Sequence, residues 1–382
     1  MVSTDPEAFL RDVMALRSEL VKELGEEDLS HMKRMERIGK IATAVGLATA
    51  PWFPNPLSAA ALALGRSTRW MLMHHIGHRG YDKVPNVPEK YTSKVFARGK
   101  RRFLDWPDWM TAEAWCYEHN ALHHSYTGEE ADPDLVERNT EDMRDPRVPK
   151  AVRYAIVGLL AATWRASYYA PKTTGMLLER KLKRKPTNRE LYTVLAKDTY
   201  LPYVGWHFVG LPLLFAPLGP LAMGSALANS VMADVLTNIH TFLVVGPNHS
   251  GDDIERYDGP PKTRAEGMVR QVKGSVNYAT GDDVTDFLHL WLNYQIEHHL
   301  FPDLPMLAYQ RMQPKVRALC EKHGITYIQE SVWKRFGKLV DVIVGNTQMK
   351  RVPHEAELTA KDTADRPIEY EVEAAAAISA SA

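Results

Sequence analysis

"LPYVGWHFVGLPLLFAPLGPLAMGSALANSVM" (residues 201–232) contains no Asp, Glu, Lys or Arg, and the charge-free run extends from Asp198 to Asp234. A single bilayer span needs about 20 apolar residues, so the run is too long for one crossing. "APLGP" (216–220) is a turn signal near its middle. The stretch therefore predicts a helical hairpin that enters a bilayer and returns. A second uncharged run, from Ile41 to Gly65, is broken by "FPNP" (53–56). Its first arm is short for a full span, which fits a re-entrant or tilted hairpin as well as two clean helices. The rival to both readings is a large soluble helical core.

The mean hydropathy of −0.32 conceals this contrast. The chain has 382 residues, and no linker divides its middle. A formal net charge of +0 suggests neither nucleic acid nor an acidic substrate. Two cysteines, Cys116 and Cys320, give no disulfide framework and fit a reducing compartment. "MVSTDPEAFLRD" lacks the basic region and apolar core of a signal peptide, so export is not expected.

Residues 1–37 are expected to form an amphipathic helical segment. Phe9, Val13, Leu16, Leu20 and Leu24 recur at helical spacing, and Thr4 with Glu7 matches a capping box. Such a helix lies on a membrane surface or packs on the body, and packing is the simpler reading. Residues 38–345 form the main domain, and residues 346–382, acidic and then rich in Ala and Ser, read as a disordered tail. "AVRYAIVGLLAATW" (151–164) is apolar but short, which fits an interfacial helix. Basic clusters at 90–102 and 180–185 place both segments on the cytoplasmic side. If each uncharged run crosses and returns, everything between and after the runs faces that side as well.

Fifteen histidines are the anomaly, and they cluster. "HHIGH" (74–78) follows the first hairpin, "HNALHH" (119–124) lies in the polar segment after it, and "QIEHH" (295–299) follows the second. All three fall on the cytoplasmic side by the parity above. His74 and His78 are i, i+4, as are His119 and His123, and on a helix such pairs share a face. Gln295, His298 and His299 are i, i+3 and i+4, and Pro302 and Pro305 end that helix. His124 points away from His123 and can reach a second ion. Neutral imidazole suits iron, copper, zinc or nickel. A structural zinc closes at four ligands, whereas the clusters offer seven histidines, enough for two ions with open positions. Open redox sites imply oxygen chemistry, and iron is the expected metal.

His249, where the chain leaves the second hairpin, is an eighth candidate ligand. Gln295, Asn238 and His240 are candidates for ligation or for hydrogen bonds to ligands. His75 is the alternative to His74. His207 and His289 read as packed or supporting groups, Cys116 as a core residue, and His31, His323 and His354 as solvated.

Over roughly residues 40–320 these motifs resemble the membrane fatty acid desaturase superfamily: "HHIGH", "HNALHH" and "QIEHHLFP" in order, with "ADPDL" (131–135) and "PNH" (247–249) as further matching features. The resemblance implies an all-α integral membrane protein, with about four transmembrane or re-entrant helices in two hairpins and a cytoplasmic helical cap carrying the histidine boxes. It implies a non-haem centre of two iron ions held by His74, His78, His119, His123, His124, His249, His298 and His299. The implied activity uses dioxygen and two electrons to remove two hydrogens from a fatty acyl chain carried on coenzyme A, a carrier protein or a lipid. Gln295 stands where many members have His, as in front-end and many bacterial acyl desaturases, and Met306 follows Pro305 where Arg is frequent. No "HPGG" haem-domain motif occurs, so electrons are expected from a separate donor such as ferredoxin or rubredoxin with its reductase. The basic 90–102 segment suits an acidic donor or anionic lipid headgroups equally well. A lipid or carotenoid hydroxylase or ketolase is the rival within the superfamily, and a non-catalytic membrane metal-binding protein the rival from another class.

Overall fold

Asp5 opens the first helix by accepting hydrogen bonds from the backbone N–H groups of Glu7 and Ala8, with Pro6 in the first turn. The computed structural model describes residues 5–353, so the expected cap at Thr4 lies outside them. Helix α1 (Pro6–Glu23) buries Phe9, Val13, Leu16 and Leu20 on one stripe. Each fully buried side chain of this size contributes about 1.5–3 kcal/mol. The stripe packs against helices Arg264–Lys273 and Met306–Lys322, and Asp12 accepts from Lys322 and His323 at its edge. The segment packs on the body, as the simpler reading expected.

Helices α2 (Glu26–Thr49) and α3 (Pro56–Gly77) form the first hairpin. α2 runs unbroken through residue 37, so the expected boundary there falls inside a helix: charge stops, but helical hydrogen bonding does not. Small residues let the two helices approach. A Cβ on Gly65 would lie 2.1 Å from Thr43 Oγ1, and one on Gly39 would lie 2.5 Å from Thr68 Cβ. Gly65→Val is expected to cost about 1–3 kcal/mol by forcing the pair apart; thermal unfolding in detergent measures it, and an unchanged midpoint would show that the contact is not tight.

The second hairpin pairs the helix Asn188–Leu218 with Pro220–Val245. Gly219, at φ 94°, makes the turn in a conformation that side chains rarely adopt. Three π-helical stretches, Arg165–Tyr169, Ala196–Tyr200 and Gly205–Gly210, each end two residues before a proline: Pro171, Pro202 and Pro212. A proline inside a helix removes an N–H and clashes with the carbonyl four residues back, and a widened turn relieves both. Asn229 and Ser225 tie the hairpins together at their tips. Asn229 Nδ2 donates to the carbonyl of Ala50 at 3.0 Å, its Oδ1 accepts from Asn55 N at 2.9 Å, and Ser225 Oγ donates to Ala50.

Among the described residues, one helix, Asn188–Leu218, is by itself long and apolar enough to cross a membrane. Only 17% of its most apolar window is buried, so most of that apolar surface faces outward. The Pro220–Val245 helix likewise turns Leu221, Val231 and Ile239 outward.

A buried ionic network joins the two hairpins to the rest. Arg165, fully buried, donates to Asp108 Oδ2 at 2.7 Å, to Asp234 Oδ1 at 2.9 Å and to Asn238 Oδ1 at 3.2 Å. Tyr203 donates to Asp234, and Arg66 reaches Ser230 from α3. Two short parallel strands, β1 (Glu255–Tyr257) and β2 (Lys350–Val352), close the far side. β2 lies within the expected tail, so ordered chain continues past residue 346 because these backbone groups pair with β1. Residues 354–382, the bulk of that expected tail, fall outside the described residues, as does His354.

Candidate metal centre

His74, three residues before the end of α3, and His78, which caps it, face the helix that begins at Ala112–Trp115 and widens to π geometry over Cys116–His123. π turns recur at functional sites because the extra residue re-aims side chains. Here Trp115, His119 and His123 stack along one face, with ring centroids 4.7 and 5.1 Å apart. The third cluster sits on helix Gln295–Leu300, separated by three residues from the pair Leu290 and Trp291, two consecutive buried residues at positive φ. Such a pair is strained and persists only where packing over-determines it.

The eight candidate histidines converge. Ring nitrogens of His74, His78, His119 and His298 lie within 4.8 Å of one another, and those of His123, His249 and His299 form a second such set. His124 belongs to neither set at that distance but bridges them: its ring stacks on His299 at 4.2 Å and meets His78 edge-on at 4.6 Å. Asp134 joins His119 and His123 in a third grouping. His75 is turned away and reaches the carbonyl of Leu290, leaving His74 in the cage.

The outer hydrogen bonds fix which nitrogens face inward. His123 Nδ1 donates to Asp132 Oδ1 at 2.8 Å, His249 Nδ1 to the Gly274 carbonyl at 2.8 Å, and His299 Nδ1 to Gln271 Oε1 at 2.8 Å. His298 Nδ1 lies 3.2 Å from the Tyr309 hydroxyl. Each bond turns Nε2 toward the cage, the arrangement that outer groups give metal-binding histidines. Burial, reinforced by neighbouring histidines, holds His124, His298 and His299 well below the usual histidine range, in the neutral form that binds metal. Burial acts the same way on His123, but Asp132, Asp134 and Glu118 outweigh it and hold that ring up at about 9.

The residues fit metal ions. Nε2 of His78, His119 and His299 and both nitrogens of His124 are buried without a hydrogen-bond partner. Burying unpaired polar groups is costly, and cations shared between the rings would satisfy them. With nitrogen donors predominating, the set suits iron, copper, zinc or nickel rather than magnesium or calcium.

Gln295 sits at the cage and pairs its amide with His249 Nε2 at 2.9 Å. Asn238 and His240, expected beside the metal, are placed elsewhere. Asn238 is held by Arg165, and His240 lies 3.0 Å from Ser67 Oγ and 2.7 Å from the Leu288 carbonyl. Their helix, Pro220–Val245, turns both positions away before the chain reaches His249. His31, expected in solvent, is buried against Trp291, and His323 against Phe9. Sequence reasoning gave no role to Asp132 and Asp134, although "ADPDL" marked them. Nor did it find the buried group in which Tyr169 donates to Glu118 at 2.8 Å while Lys172 pairs with Asp134 at 2.9 Å. Asp132→Asn keeps the side-chain shape and removes the charge beside His123. Metal affinity is expected to fall about tenfold or more, read by competition with a chelator; unaltered affinity would show that this carboxylate does not support a ligand.

A cavity of about 260 Å³ runs to the cage. His74, His119, His123 and His249 form one end, and Leu160, Trp164, Phe242, Val245, Leu339 and Ile343 supply apolar walls. Ligand pockets are typically ~300–1,000 Å³ and mostly apolar with a few convergent polar groups.

A helical protein that gathers three histidine clusters at the end of an apolar cavity defines a class of histidine-box enzymes acting on hydrophobic chains. Residues 50–331 match the sequence model of the family described as "Fatty acid desaturase", and the chain belongs to that family as one of its oxidoreductases. It is 24% identical over 360 residues to the NADPH-dependent stearoyl-CoA 9-desaturase of Mycobacterium tuberculosis, covering 88% of this chain and 79% of that protein. It is also 24% identical over 346 residues to the acyl-lipid (8-3)-desaturase of Thraustochytrium sp, covering 84% and 70%. The Delta(5) fatty acid desaturase A of Dictyostelium discoideum matches at 27% over 242 residues, 56% of this chain and 48% of that one.

Proposed function

We propose that this chain is an O2-dependent desaturase that introduces a carbon–carbon double bond into a fatty acyl chain, with two iron ions held by the eight histidines. The observation that carries the reading is the junction of an apolar cavity with a cage of converging imidazoles. When bound, the iron pair supplies the oxidising power that an unactivated methylene requires. The protein's own residues do the rest. Leu160, Trp164 and Phe242 hold the chain and exclude water, and the cavity's shape brings one segment of it beside His74 and His119. Asp132, Gly274 and Gln271 keep the ligand rings in one tautomer. Two electrons come from an external donor of the ferredoxin or rubredoxin kind, and exposed Lys90, Lys94 and Lys100 give it a basic approach.

The topology we propose has both hairpins in the bilayer as one membrane domain, with the cage on the cytoplasmic side. Its support is the outward apolar surface of the helices Asn188–Leu218 and Pro220–Val245, and the basic 90–102 and 180–185 segments. Gas chromatography with mass spectrometry of total fatty acids from a host expressing the chain tests the activity. A new species two hydrogens lighter is expected, and its fragmentation locates the bond. Products heavier by one oxygen would contradict desaturation and favour a hydroxylase.

A further inference from the structure

The cavity that ends at the histidines also has a mouth, and its position bears on what carries the acyl chain. Ile156, Leu160 and Trp164, at i, i+4 and i+8 on helix Lys150–Trp164, form one wall. Of all the residues lining the cavity, Ile156 alone among the described residues is exposed, at 37%, so the cavity reaches the surface there. Ile156 also belongs to the helix's outer face. Val152, Tyr154 and Leu159 stand beside it at 46%, 45% and 66% exposure, and no charged side chain occurs between Arg153 and Arg165. The adjoining helix, Pro220–Val245, extends this surface with Val231, Val235 and Ile239. An uncharged, apolar face of this extent on two packed helices belongs against hydrocarbon.

The groups around the mouth do not suit a soluble carrier. Coenzyme A and phosphopantetheine bring phosphates, which proteins bind with Arg, Lys or aligned N–H groups. No Lys or Arg side chain lines the cavity among the described residues, and the nearby cations are already engaged. Arg153 is buried and donates to the carbonyls of Val344, Asp145 and Val148; Arg144 pairs with Glu137 at 2.7 Å and Lys150 with Asn346. Apart from the histidines of the cage, the polar lining is Asp134, Asn139, Thr140, Asn248, Gln295 and two tyrosines, which bring no Lys or Arg to a phosphate.

Building on the desaturase reading, we infer that the substrate is an acyl chain esterified to a membrane glycerolipid, which slides in sideways from the bilayer past Ile156. The reaction remains the loss of two hydrogens from adjacent methylenes, with dioxygen reduced to water by those hydrogens, two donor electrons and two protons. Only the carrier and the direction of approach are new.

The test uses membranes from a host expressing the full chain, supplied with reduced nicotinamide nucleotide. Two probes are compared: phosphatidylethanolamine bearing a deuterated octadecanoyl chain, and deuterated octadecanoyl-CoA. Intact lipids and thioesters are separated at early times. The labelled monoene is expected first in phosphatidylethanolamine, at least about ten times faster than in the thioester. Ile156→Trp, which fills the mouth, is expected to remove most of that product while bound iron, measured on the same protein, is retained. Labelled monoene arising first as the CoA thioester would overturn the inference and leave the desaturase reading standing. Full lipid turnover by Ile156→Trp would overturn the proposed mouth. No product from either probe, with iron bound, would overturn both readings together.

Discussion

Replacing His298 with alanine is expected to abolish turnover, lowering product by at least about a hundredfold, and to lower bound metal while helical content stays that of the native chain. His298 is fully buried, its Nε2 lies 3.0 Å from His74 Nε2, and its ring packs against those of His78 and His124. It therefore touches one four-histidine set and the ring that bridges to the other. Losing an outer partner of a metal ligand costs 10- to 100-fold in affinity or activity, and losing the ligand itself should cost more. The fold should survive because Glu297, the neighbouring residue, holds the helix independently, accepting from Asn277 Nδ2 at 2.7 Å and the Tyr327 hydroxyl at 2.9 Å. Circular dichroism and iron analysis on the same sample separate the two effects. A variant that keeps its iron and its product would remove His298 from the cage.

The second large effect is on stability. Arg165→Ala leaves Asp108 and Asp234 without their shared guanidinium, in a site where Arg165 itself is fully buried. Breaking a buried pair by deleting one partner costs about 3–5 kcal/mol, because the remaining charge is stranded. The variant is expected to accumulate poorly and to unfold at markedly lower temperature in detergent. Pairing Arg165→Met with Asp108→Asn should recover much of the loss by removing charges of both signs. If the single variant is as stable as the native chain, the network is not a lock between the hairpins. Trp164, beside Arg165, donates its indole N–H to the Asn238 carbonyl at 2.9 Å and lines the acyl cavity. The lock thus also holds a wall of the cavity in place.

The second hairpin was legible as a pair of apolar helices because a charge-free run of this length, broken near its middle by Pro and Gly, leaves few alternatives. The turn at Gly219 followed from local chemistry, since Pro and Gly act within a few residues. The π-helical turns were not legible, although each proline was in plain view. Proline signals a break or a kink, and only the surrounding packing decides that the chain widens and continues. The pairing of β1 with β2 joins residues almost a hundred positions apart and leaves no local mark.

The same division runs through the candidate site. The clustering of His74, His78, His119, His123, His124, His298 and His299 was readable because histidine is uncommon and its i, i+4 spacing has a direct geometric meaning. Gln271 and Tyr309, which orient His299 and His298, carry no such signature and become visible only when distant segments meet. Asn238 and His240 show the opposite error. Their nearness to His249 in sequence suggested a place at the metal, but one helical turn decides which face a residue takes, and theirs look toward Arg165 and Ser67.

Metal content of the purified chain, measured together with its Mössbauer spectrum after growth on iron-57, tests the central claim most directly. The account expects two iron ions per chain in nitrogen-rich, high-spin sites, falling in the His298→Ala form. A chain that binds a single ion, or carries only zinc at closed four-coordinate sites, would contradict it.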